Sequence, residues 1–445
     1  MRIFSQRATS ASRVMMMCVA VCGLGLAGCD DRGGDPAKQI GANPVLPEPQ
    51  QYLLPPMRIA RVAHWGEGEM PAVPQGLQIR AVAKDLEHPR SVYVLPNGDV
   101  LVVEANGPKA PINRPKDLIM GWVQSLAGAN AKGGNRITLL RGIDGDKPGS
   151  RTVFLDHLNS PFGVALVGQN FYVANTDAII RYPYTDGQTA ITAAGTKLTD
   201  LPGGPIDHHW TKSLLASPDG SKLYVGVGSN SNIAENGMIA EVGRAAIWEV
   251  DRASGAHRIF ASGLRNPVGL AFEPQTGVLW TVVNERDGIG DETPPDYLTS
   301  VRDGGFYGWP YCYWGQTVDD RVPQDPLAVA KAIRPDYALG GHTASLGLCW
   351  LPAGTLPGFP EGMAIGQHGS WNRSTLSGYK VAFVPFANGR PNGPPRDILT
   401  GFLAPDEQFS YGRPVGVSLG PDGSVLVADD VGDVIWRVTG DRRGG

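Results

Sequence analysis

The sequence is poor in cysteine. It contains 5 cysteines among 445 residues, and three of them, Cys18, Cys22 and Cys29, lie near the N-terminus. A fold that depends on many disulfides is therefore excluded for the main body of the chain, where Cys312 and Cys349 remain. In an oxidising compartment these two could pair, but a bond depends on the distance between their Cα atoms and stays open at this point.

The sequence also lacks basic runs, long amphipathic helix patterns and a dinucleotide-binding motif. Charged residues make up 18% of the chain and the formal net charge is −4, which argues against nucleic acid or an anionic membrane surface as a partner. No glycine-rich pattern follows a strand and opens a helix, so a nicotinamide cofactor is not expected. The hydrophobic content of 42% is sufficient for a large core.

The N-terminal hydrophobic run is too short to span a membrane comfortably. Arg2 and Arg7 precede the apolar run Val14–Leu26, and small residues follow it, which is the pattern of a secretory signal peptide. Leu-Ala-Gly-Cys, ending at Cys29, resembles the bacterial lipobox, which implies lipidation of Cys29 and removal of residues 1–28. Ordinary secretory cleavage nearby is the alternative.

The composition of the segment after Cys29 predicts a link between the lipid anchor and a periplasmic domain. Asp30 and Asp31 resemble the signal that retains lipoproteins in the inner membrane. Residues 29–56 are rich in Gly, Pro, Ala and Asn and are expected to form a flexible tether. Residues 57–445 are expected to form the globular domain.

A turn followed by a short apolar strand recurs along the domain. One copy reads Leu-Pro-Asn-Gly-Asp-Val-Leu-Val-Val-Glu from Leu95. Repeated turn-linked hairpins, about 50 to 90 residues apart, predict an all-β fold, a six-bladed β-propeller with loop insertions. A β-sandwich of this length would need a second domain, and no internal linker is visible. The six copies begin at Leu95, Val167, Ser217, Glu273, Phe359 and Gly420.

The stretch Gly263–Trp314 combines an acidic loop with an aromatic turn. Carboxylates on a glycine-rich backbone are the oxygen donors that calcium prefers, although a solvated acidic loop is the alternative. The turn Asp303–Pro310 carries three aromatic rings suited to a flat ligand, although such rings are often core residues. The acidic residues are Glu285, Asp287, Asp291, Glu292 and Asp296, interrupted by Gly288 and Gly290.

The loops of a propeller converge at one end of its channel, so distant residues can build one site. A histidine can remove a proton from a hydroxyl, arginines can neutralise an anionic cofactor, and a divalent cation can polarise a carbonyl. Together these groups suit oxidation of an alcohol or aldehyde hydrate. The candidates are His208-His209, 228–232, His342-Thr343, 367–373 and Arg413.

Four stretches carry a resemblance to a known family. They are GLRNPVGLAF, NERDGIGDETPPDYLTSVRDGGFYGWP, HHWTKSLLASPDGSKLYVGVGS and GQHGSWNRSTLSGYKV. These stretches resemble the L-sorbosone dehydrogenase group of the soluble glucose dehydrogenase family. That resemblance covers about residues 78–438 and implies a six-bladed propeller with pyrroloquinoline quinone (PQQ) and calcium as cofactors.

The resemblance implies roles for individual residues. His209 matches the general base, Arg413 matches a cofactor-binding arginine, and Arg373 matches a second cationic contact. An arginine that contacts the quinone in the family falls on or near Asn232, which suggests a different substrate pocket. His342 and Thr343, at the end of a glycine-rich loop, are further candidates for cofactor binding. The implied calcium ligands are Asp287 and Gly288, through their backbone carbonyls, an acidic ligand near Asp296, and a backbone contact at Tyr307.

The resemblance thus implies a quinoprotein dehydrogenase of aldoses or sugar aldehydes. We expect it to be lipid-anchored in the periplasm and to pass electrons to a membrane quinone or cytochrome. Two alternatives remain open: a calcium-dependent sugar lactonase, and a non-catalytic propeller that binds a carbohydrate or protein.

Overall fold

Six antiparallel sheets arranged as blades form the domain, as predicted from the repeats. A computed structural model describes residues 35–50, 57–109, 133–143 and 149–441, with isolated positions between 121 and 128. Strands are numbered in chain order. Blade one contains β4 (Pro89–Val94), β5 (Val100–Glu104), β6 (Arg136–Arg141) and β7 (Ser150–Leu155). Blade two contains β8 (Gly163–Val167), β9 (Asn170–Ala174), β10 (Ala178–Pro183) and β11 (Thr196–Asp200).

A long insertion within blade four reaches back to blade three and adds a short strand to its edge. Blade three contains β12 (Lys212–Ala216), β13 (Lys222–Val227), β14 (Ala246–Asp251) and β15 (His257–Ser262), with β19 (Gly305–Phe306) at its edge. Blade four contains β16 (Pro267–Phe272), β17 (Leu279–Val283), β18 (Pro295–Ser300), β22 (Tyr337–Gly341) and β1 (Ile40–Gly41). The insertion holds β20 (Cys312–Tyr313), β21 (Thr317–Val318) and the helix α1 (Pro326–Lys331).

Blade six closes the ring by joining the two ends of the domain. Blade five contains β23 (Ser345–Leu351), β24 (Gly362–Gln367), β25 (Lys380–Ala387), β26 (Arg390–Pro391) and β27 (Arg396–Leu399). Blade six contains β29 (Pro414–Leu419), β30 (Val425–Asp429), β31 (Val434–Gly440) and, from the N-terminal side, β3 (Leu77–Ala83). Because β3 pairs with β31, a strand from the N-terminal side completes blade six and closes the ring.

The predicted hairpins join the first two strands of each blade, so the predicted fold is confirmed. The turn of blade one shows why the local sequence specifies a hairpin. Gly98 has a φ of +87°, which favours glycine, and its N–H donates to the carbonyl of Leu95 at 2.9 Å. Asn97 accepts from the N–H of Asp99 at 3.0 Å. Apolar residues of neighbouring sheets then pack between the blades as separate core clusters.

The prediction of a flexible tether is wrong for residues 35–50. The 3₁₀-helix Pro36–Gln39 leads into β1, which pairs with the outer strand β22 of blade four, and Ile40 packs against the core there. The N–H of Gln50 donates to the carbonyl of Ile289 at 2.9 Å. The remaining tether residues, 29–34 and 51–56, the signal peptide 1–28 and Cys29 lie outside the described residues.

Two further features concern the cysteines and the membrane. Cys312 and Cys349 are both free thiols, so the disulfide that the sequence left open is not formed. Across the described ranges, no helix is both long and apolar enough to cross a bilayer.

Segment 57–76 adds β2 (Arg61–Val62), which pairs with β28 (Phe409–Ser410).

Candidate active site

The first strands of the six blades line a central channel of about 490 Å³. Each first strand begins, and its antiparallel partner ends, at the same end of this channel. We call this end the mouth. Near it, Phe162, Val268 and Val415 form an apolar cluster packed by Trp210 and Leu346. Polar residues that flank the first hairpin of each blade therefore converge at the mouth, above an apolar floor.

His209 lies at the mouth and is fixed by one ring nitrogen. Its Nδ1 lies 2.9 Å from the carbonyl oxygen of Ser229 and 3.0 Å from the hydroxyl oxygen of the same residue. Since a carbonyl can only accept, Nδ1 carries the proton and Nε2 keeps a lone pair. Burial, together with the positive charge of Arg265, holds the pKa of His209 well below its usual value. The imidazole is therefore neutral at neutral pH and able to accept a proton.

His208 is the more exposed of the two adjacent histidines. It is exposed, and its ring packs edge-on against His209 with the centroids 4.6 Å apart. His209, the base predicted from the resemblance, differs from His208 in that its Nδ1 is fixed by Ser229.

Asn232 is held between an arginine and the acidic loop. Its side-chain oxygen accepts from Arg265 Nη2 at 2.9 Å and from the N–H of Asp287 at 2.8 Å. Arg265 is buried and also donates to the carbonyl of Glu285 at 2.7 Å. A cation is thus present beside the position where the sequence suggested that one had been lost.

The acidic loop is surrounded by positive charge. The carbonyl of Asp287 accepts from Asn232 at 3.1 Å and from Arg286 Nη2 at 2.8 Å. The carbonyl of Gly288 accepts from Arg321 Nη1 at 2.9 Å. The carbonyl groups predicted to bind calcium are therefore already hydrogen-bonded, and nearby guanidinium groups oppose a dication electrostatically.

The other two predicted calcium ligands are Tyr307 and Asp296, which borders the acidic loop because it accepts from the N–H of Glu285 at 3.0 Å. Asp296 is buried at the mouth end of β18, where it accepts from Thr343 Oγ1 at 3.1 Å and from the N–H of Ser345 at 3.2 Å.

The hydroxyl of Tyr307 reaches the opposite end of β18, where it donates to the carbonyl of Ser300 at 2.6 Å. The backbone of Tyr307, which is the predicted contact, lies at the mouth end of β15, where its N–H donates to the carbonyl of Ser262 at 2.9 Å. The described part of the chain shows no metal-type cluster of three or more His, Cys, Asp or Glu residues. That observation concerns side chains, so the predicted ligands stay a prediction. The guanidinium groups of Arg286 and Arg321 beside the two carbonyls of the acidic loop disfavour calcium binding there in the cofactor-free protein.

Calcium removal should therefore have little effect on the cofactor-free protein. We expect EDTA to change Tm by less than about 1 °C, because an ion that is not bound contributes no linkage free energy. Differential scanning calorimetry of the protein, with Asp287→Asn as a matched variant, measures this directly. A fall in Tm on adding EDTA, reversed by calcium and not by magnesium, would show that the cofactor-free protein binds calcium and would contradict this prediction.

His342 and Thr343 fix loops of blades four and five. His342 Nε2 donates to the carbonyl of Gly290 at 2.8 Å, and its Nδ1 lies 3.4 Å from Asn372 Nδ2. Thr343 is buried and bonded to Asp296. Both residues thus lie near the mouth but use their polar atoms within the loops.

Arg373 is also bonded within the protein. It forms a buried ion pair with Glu292 and donates to the carbonyls of Asp291 at 2.7 Å and Gly341 at 2.8 Å. Its Nε donates to the carbonyl of Thr375 at 2.8 Å. The structure therefore brings Arg373 to the rim of the site as a brace between blades four and five.

Arg413 belongs to a second polar cluster, formed by blades one, five and six. Asp430 is fully buried, accepts from Arg90 Nη1, and lies 2.9 Å from His368 Nε2 and 3.5 Å from His88 Nε2. Arg413 Nη1 lies 3.5 Å from His368 Nδ1. We call these five residues the Asp430 cluster.

Burial sets the protonation states in the Asp430 cluster. It lowers the pKa of His368 to about 4, and Arg413 and Arg90 add to this effect. Burial also opposes ionisation of Asp430, but the histidines and Arg90 hold the pKa of that carboxyl below its usual value. Asp430 is therefore an anion, with neutral imidazoles beside it.

Three buried nitrogen atoms of the Asp430 cluster have no hydrogen-bond partner within the described ranges: His88 Nδ1, Arg90 Nε and Arg413 Nε. Unpaired buried donors are costly, and they mark a place where a polar ligand can bind. The guanidinium of Arg90 also packs over the rings of Phe162 and Trp210, at 6.0 and 5.7 Å from their centroids. Since Trp210 follows His209, the cluster and the base face the same mouth.

Sequence reasoning missed Arg90, Arg265 and Asp430. A signal for the two arginines was present, because an arginine lies within two residues of the proline that begins the first strand in three blades. These are Pro89-Arg90, Arg265-Asn266-Pro267 and Arg413-Pro414. Asp430 directly follows β30, at the mouth end of blade six.

Comparison with known proteins gives matches in sequence and in structure. A family model described as TrAA12-like matches residues 147–441. An uncharacterised protein of Borreliella burgdorferi is 28% identical over 294 residues, covering 63% of this chain and 76% of that protein. A pyrroloquinoline quinone-dependent pyranose dehydrogenase of Coprinopsis cinerea is 24% identical over 358 residues, covering 70% of this chain. The match spans only 44% of that dehydrogenase.

Two solved structures share the fold. The holo PQQ domain of the Coprinopsis cinerea pyranose dehydrogenase superposes with a TM-score of 0.66 at 20% identity, covering 86% of this chain and 100% of that one. A calcium structure of a Trichoderma reesei enzyme of Carbohydrate-Active Enzymes Family AA12 gives a TM-score of 0.67 at 20% identity, covering 86% and 99%. At this identity the likeness establishes the propeller fold.

Proposed function

Because this chain belongs to the TrAA12-like family, we propose that it is a PQQ-dependent sugar dehydrogenase that oxidises an aldose or sugar aldehyde at the channel mouth. The observation that carries the proposal is His209, a neutral imidazole fixed through Nδ1 with its Nε2 available. The relatives whose printed names state an activity support the same chemistry. Sorbosone, as in the resembling group, is one candidate substrate.

The residues at the mouth fit an anionic planar cofactor. Arg90 and Arg413 present unpartnered buried Nε–H groups, and Arg265 is a third buried cation near His209. These arginines would hold the carboxylates of PQQ, which supplies a hydride acceptor when it is bound. Because Asp430 and His368 bond to the two arginines of their cluster, those cations are already oriented before the cofactor binds.

His209 performs the proton transfer in this proposal. Its Nε2 would take the proton from the hydroxyl of the sugar or of the aldehyde hydrate, and bound PQQ would supply the hydride acceptor for the carbon that carries this hydroxyl. The carbonyl of Ser229 then accepts from Nδ1–H, which stabilises the imidazolium. The apolar cluster of Phe162, Val268 and Val415 excludes bulk water from the channel side of the site.

Calcium is not required by this mechanism, and no step depends on it. A calcium structure exists for the Trichoderma reesei relative, but in this chain Arg286 and Arg321 donate to the carbonyls that were predicted to bind the ion. The same observation gives no support to a metal-dependent lactonase. The mouth combines a base with cations, as a quinoprotein dehydrogenase requires. A purely binding role would leave the position of His209 unexplained.

The cellular setting is part of the proposal. The sequence Leu-Ala-Gly-Cys supports a lipid anchor at Cys29 and a place in the periplasm, at the inner membrane. Electrons from the sugar would then pass to a membrane quinone or a cytochrome.

Steady-state turnover tests the function. The protein is incubated with PQQ and an artificial electron acceptor, and dye reduction is followed with a panel of aldoses, sugar aldehydes and sugar lactones. We expect dye reduction with one or more aldoses or aldehydes only when PQQ is present. Lactone hydrolysis without dye reduction would overturn the proposal.

A further inference from the structure

An apolar turn stands on the mouth side of blade three. Met238, Ile239 and Val242 are 50%, 91% and 75% exposed. They lie on or directly after the 3₁₀-helix Met238–Glu241, within the connection between β13 and β14. The same connection carries Ser229 and Asn232, so the turn lies beside the candidate active site.

The protein holds this turn in one conformation. The buried carboxylate of Glu241 accepts from the N–H of Asn230 at 2.7 Å and from Ser231 Oγ at 2.6 Å. Asn236 Nδ2 donates to Asn230 Oδ1 at 2.8 Å. Single exposed apolar residues are common on soluble proteins, but three on one braced turn mark a contact surface.

The N-terminal segment reaches the same side of the propeller. β1 pairs antiparallel with β22, with Ile40 opposite Leu339, so the residues before Ile40 extend towards Gly341. Gly341 is the mouth end of β22 and directly precedes His342. The chain that leads back to Cys29 therefore leaves blade four at the mouth.

The chain between Cys29 and Asp35 is short. Even fully extended, its six peptide steps span at most about 20 Å. A lipid on Cys29 would therefore keep the mouth side of blade four close to the bilayer, and blade three is its neighbour. The high effective concentration set by such a link makes a weak apolar contact sufficient.

We infer that the turn Met238–Val242 inserts into the headgroup region of the membrane that carries the lipid anchor. This rests on the lipid anchor and membrane acceptor included in the proposed function. The contact is apolar, because the only acidic or basic residues in the connection are Glu235, Glu241 and Arg244, and the last two are buried. Blades three and four then face the bilayer. The part of the mouth formed by the other blades stays open to the sugar.

This orientation brings the site close to a quinone dissolved in the membrane. Each sugar oxidised releases two electrons and two protons, which convert one quinone to its quinol. The contact therefore serves electron delivery and is separate from sugar oxidation at the mouth.

The test uses the full-length lipidated protein in phosphatidylcholine vesicles. Ile239→Ser/Val242→Ser is compared with Ile259→Ser, a control on the outer strand β15 of the same blade, where Ile259 is 41% exposed. Amide hydrogen exchange of residues 237–243 is measured with and without vesicles. Reduction of a vesicle-dissolved quinone and of a soluble dye are measured in parallel.

We expect vesicles to slow exchange of the turn in the wild type and in Ile259→Ser, but not in the double variant. Reduction of the vesicle-dissolved quinone should fall about tenfold in the double variant, while dye reduction is unchanged. Equal exchange with and without vesicles, equal quinone reduction by both proteins, or failure to associate with vesicles would overturn the inference. If the wild type reduces no dye with any sugar, the proposed function fails, and hydrogen exchange still decides the insertion.

Discussion

His209→Gln should lower the turnover number for sugar oxidation by about 10²- to 10⁴-fold, the range found for removal of a general base. Glutamine can still donate to the carbonyl of Ser229, but it cannot take a proton at the position of Nε2. PQQ affinity should change little, because the arginines remain in place. Stopped-flow measurement of cofactor reduction, beside equilibrium PQQ binding, separates the two effects.

His157→Gln is the matched control, since His157 is almost fully exposed and, among the residues that the structure describes, forms an ion pair only with its neighbour Asp156. It should retain wild-type turnover. A His209→Gln protein with unimpaired turnover would remove His209 from the mechanism.

The pH profile should carry the signature of the same residue. Burial and Arg265 lower the pKa of His209, so the neutral form that accepts the proton persists below pH 6.5. We therefore expect kcat/KM to be constant around neutral pH and to fall only at more acidic pH. An acid limb centred above 6.5 would contradict this assignment.

Asp430→Asn should lower the free energy of unfolding by about 3–5 kcal/mol at neutral pH, because it leaves buried cations without their anion. Asp430 accepts from Arg90 and His368 and is fully buried. Chemical denaturation of the cofactor-free protein measures the loss. PQQ affinity should also fall, because Arg90 loses the group that orients it.

Asp303→Asn provides the control for that measurement. Asp303 pairs with Arg258 at the surface, where both side chains are exposed, so the expected cost is below about 1 kcal/mol. Equal losses of unfolding free energy in the two variants would show that the Asp430 cluster stabilises the protein no more than a surface ion pair does.

Acidification should affect the wild type and Asp430→Asn differently. The folded-state pKa of Asp430 lies below its unfolded value, so its contribution to stability is present above the unfolded pKa and is lost as pH falls. The wild type should therefore lose its advantage over the variant as the solution becomes acidic.

The blades could be predicted from sequence because their signals are local. In blade one, Leu95 to Glu104 contains the turn and the whole of β5, and in blade six Gly420 to Asp429 does the same with β30. The contact of β1 with β22 could not be predicted in this way. It joins a two-residue strand to one about 300 residues later and leaves no local pattern.

The site was less predictable because spacing does not show which way a side chain points. Asp296 and Tyr307 are close in sequence, yet β18 separates their polar groups by a strand length of about 13 Å. Arg373 has the charge expected of a cofactor ligand, but its guanidinium forms an ion pair with Glu292 within the protein. His209 was predicted as the base from the family resemblance, and its place shortly before the first strand of blade three puts it at the mouth.

Single-turnover reduction of bound PQQ tests the central claim most directly. The protein is loaded with one equivalent of oxidised PQQ and mixed with the sugar that gives the highest turnover in the panel, or with the same sugar deuterated at the reacting carbon. The account predicts stoichiometric loss of the oxidised cofactor spectrum, slower with the deuterated sugar and nearly absent in His209→Gln. Failure of the protein to bind PQQ, or sugar-independent spectral change, would contradict it.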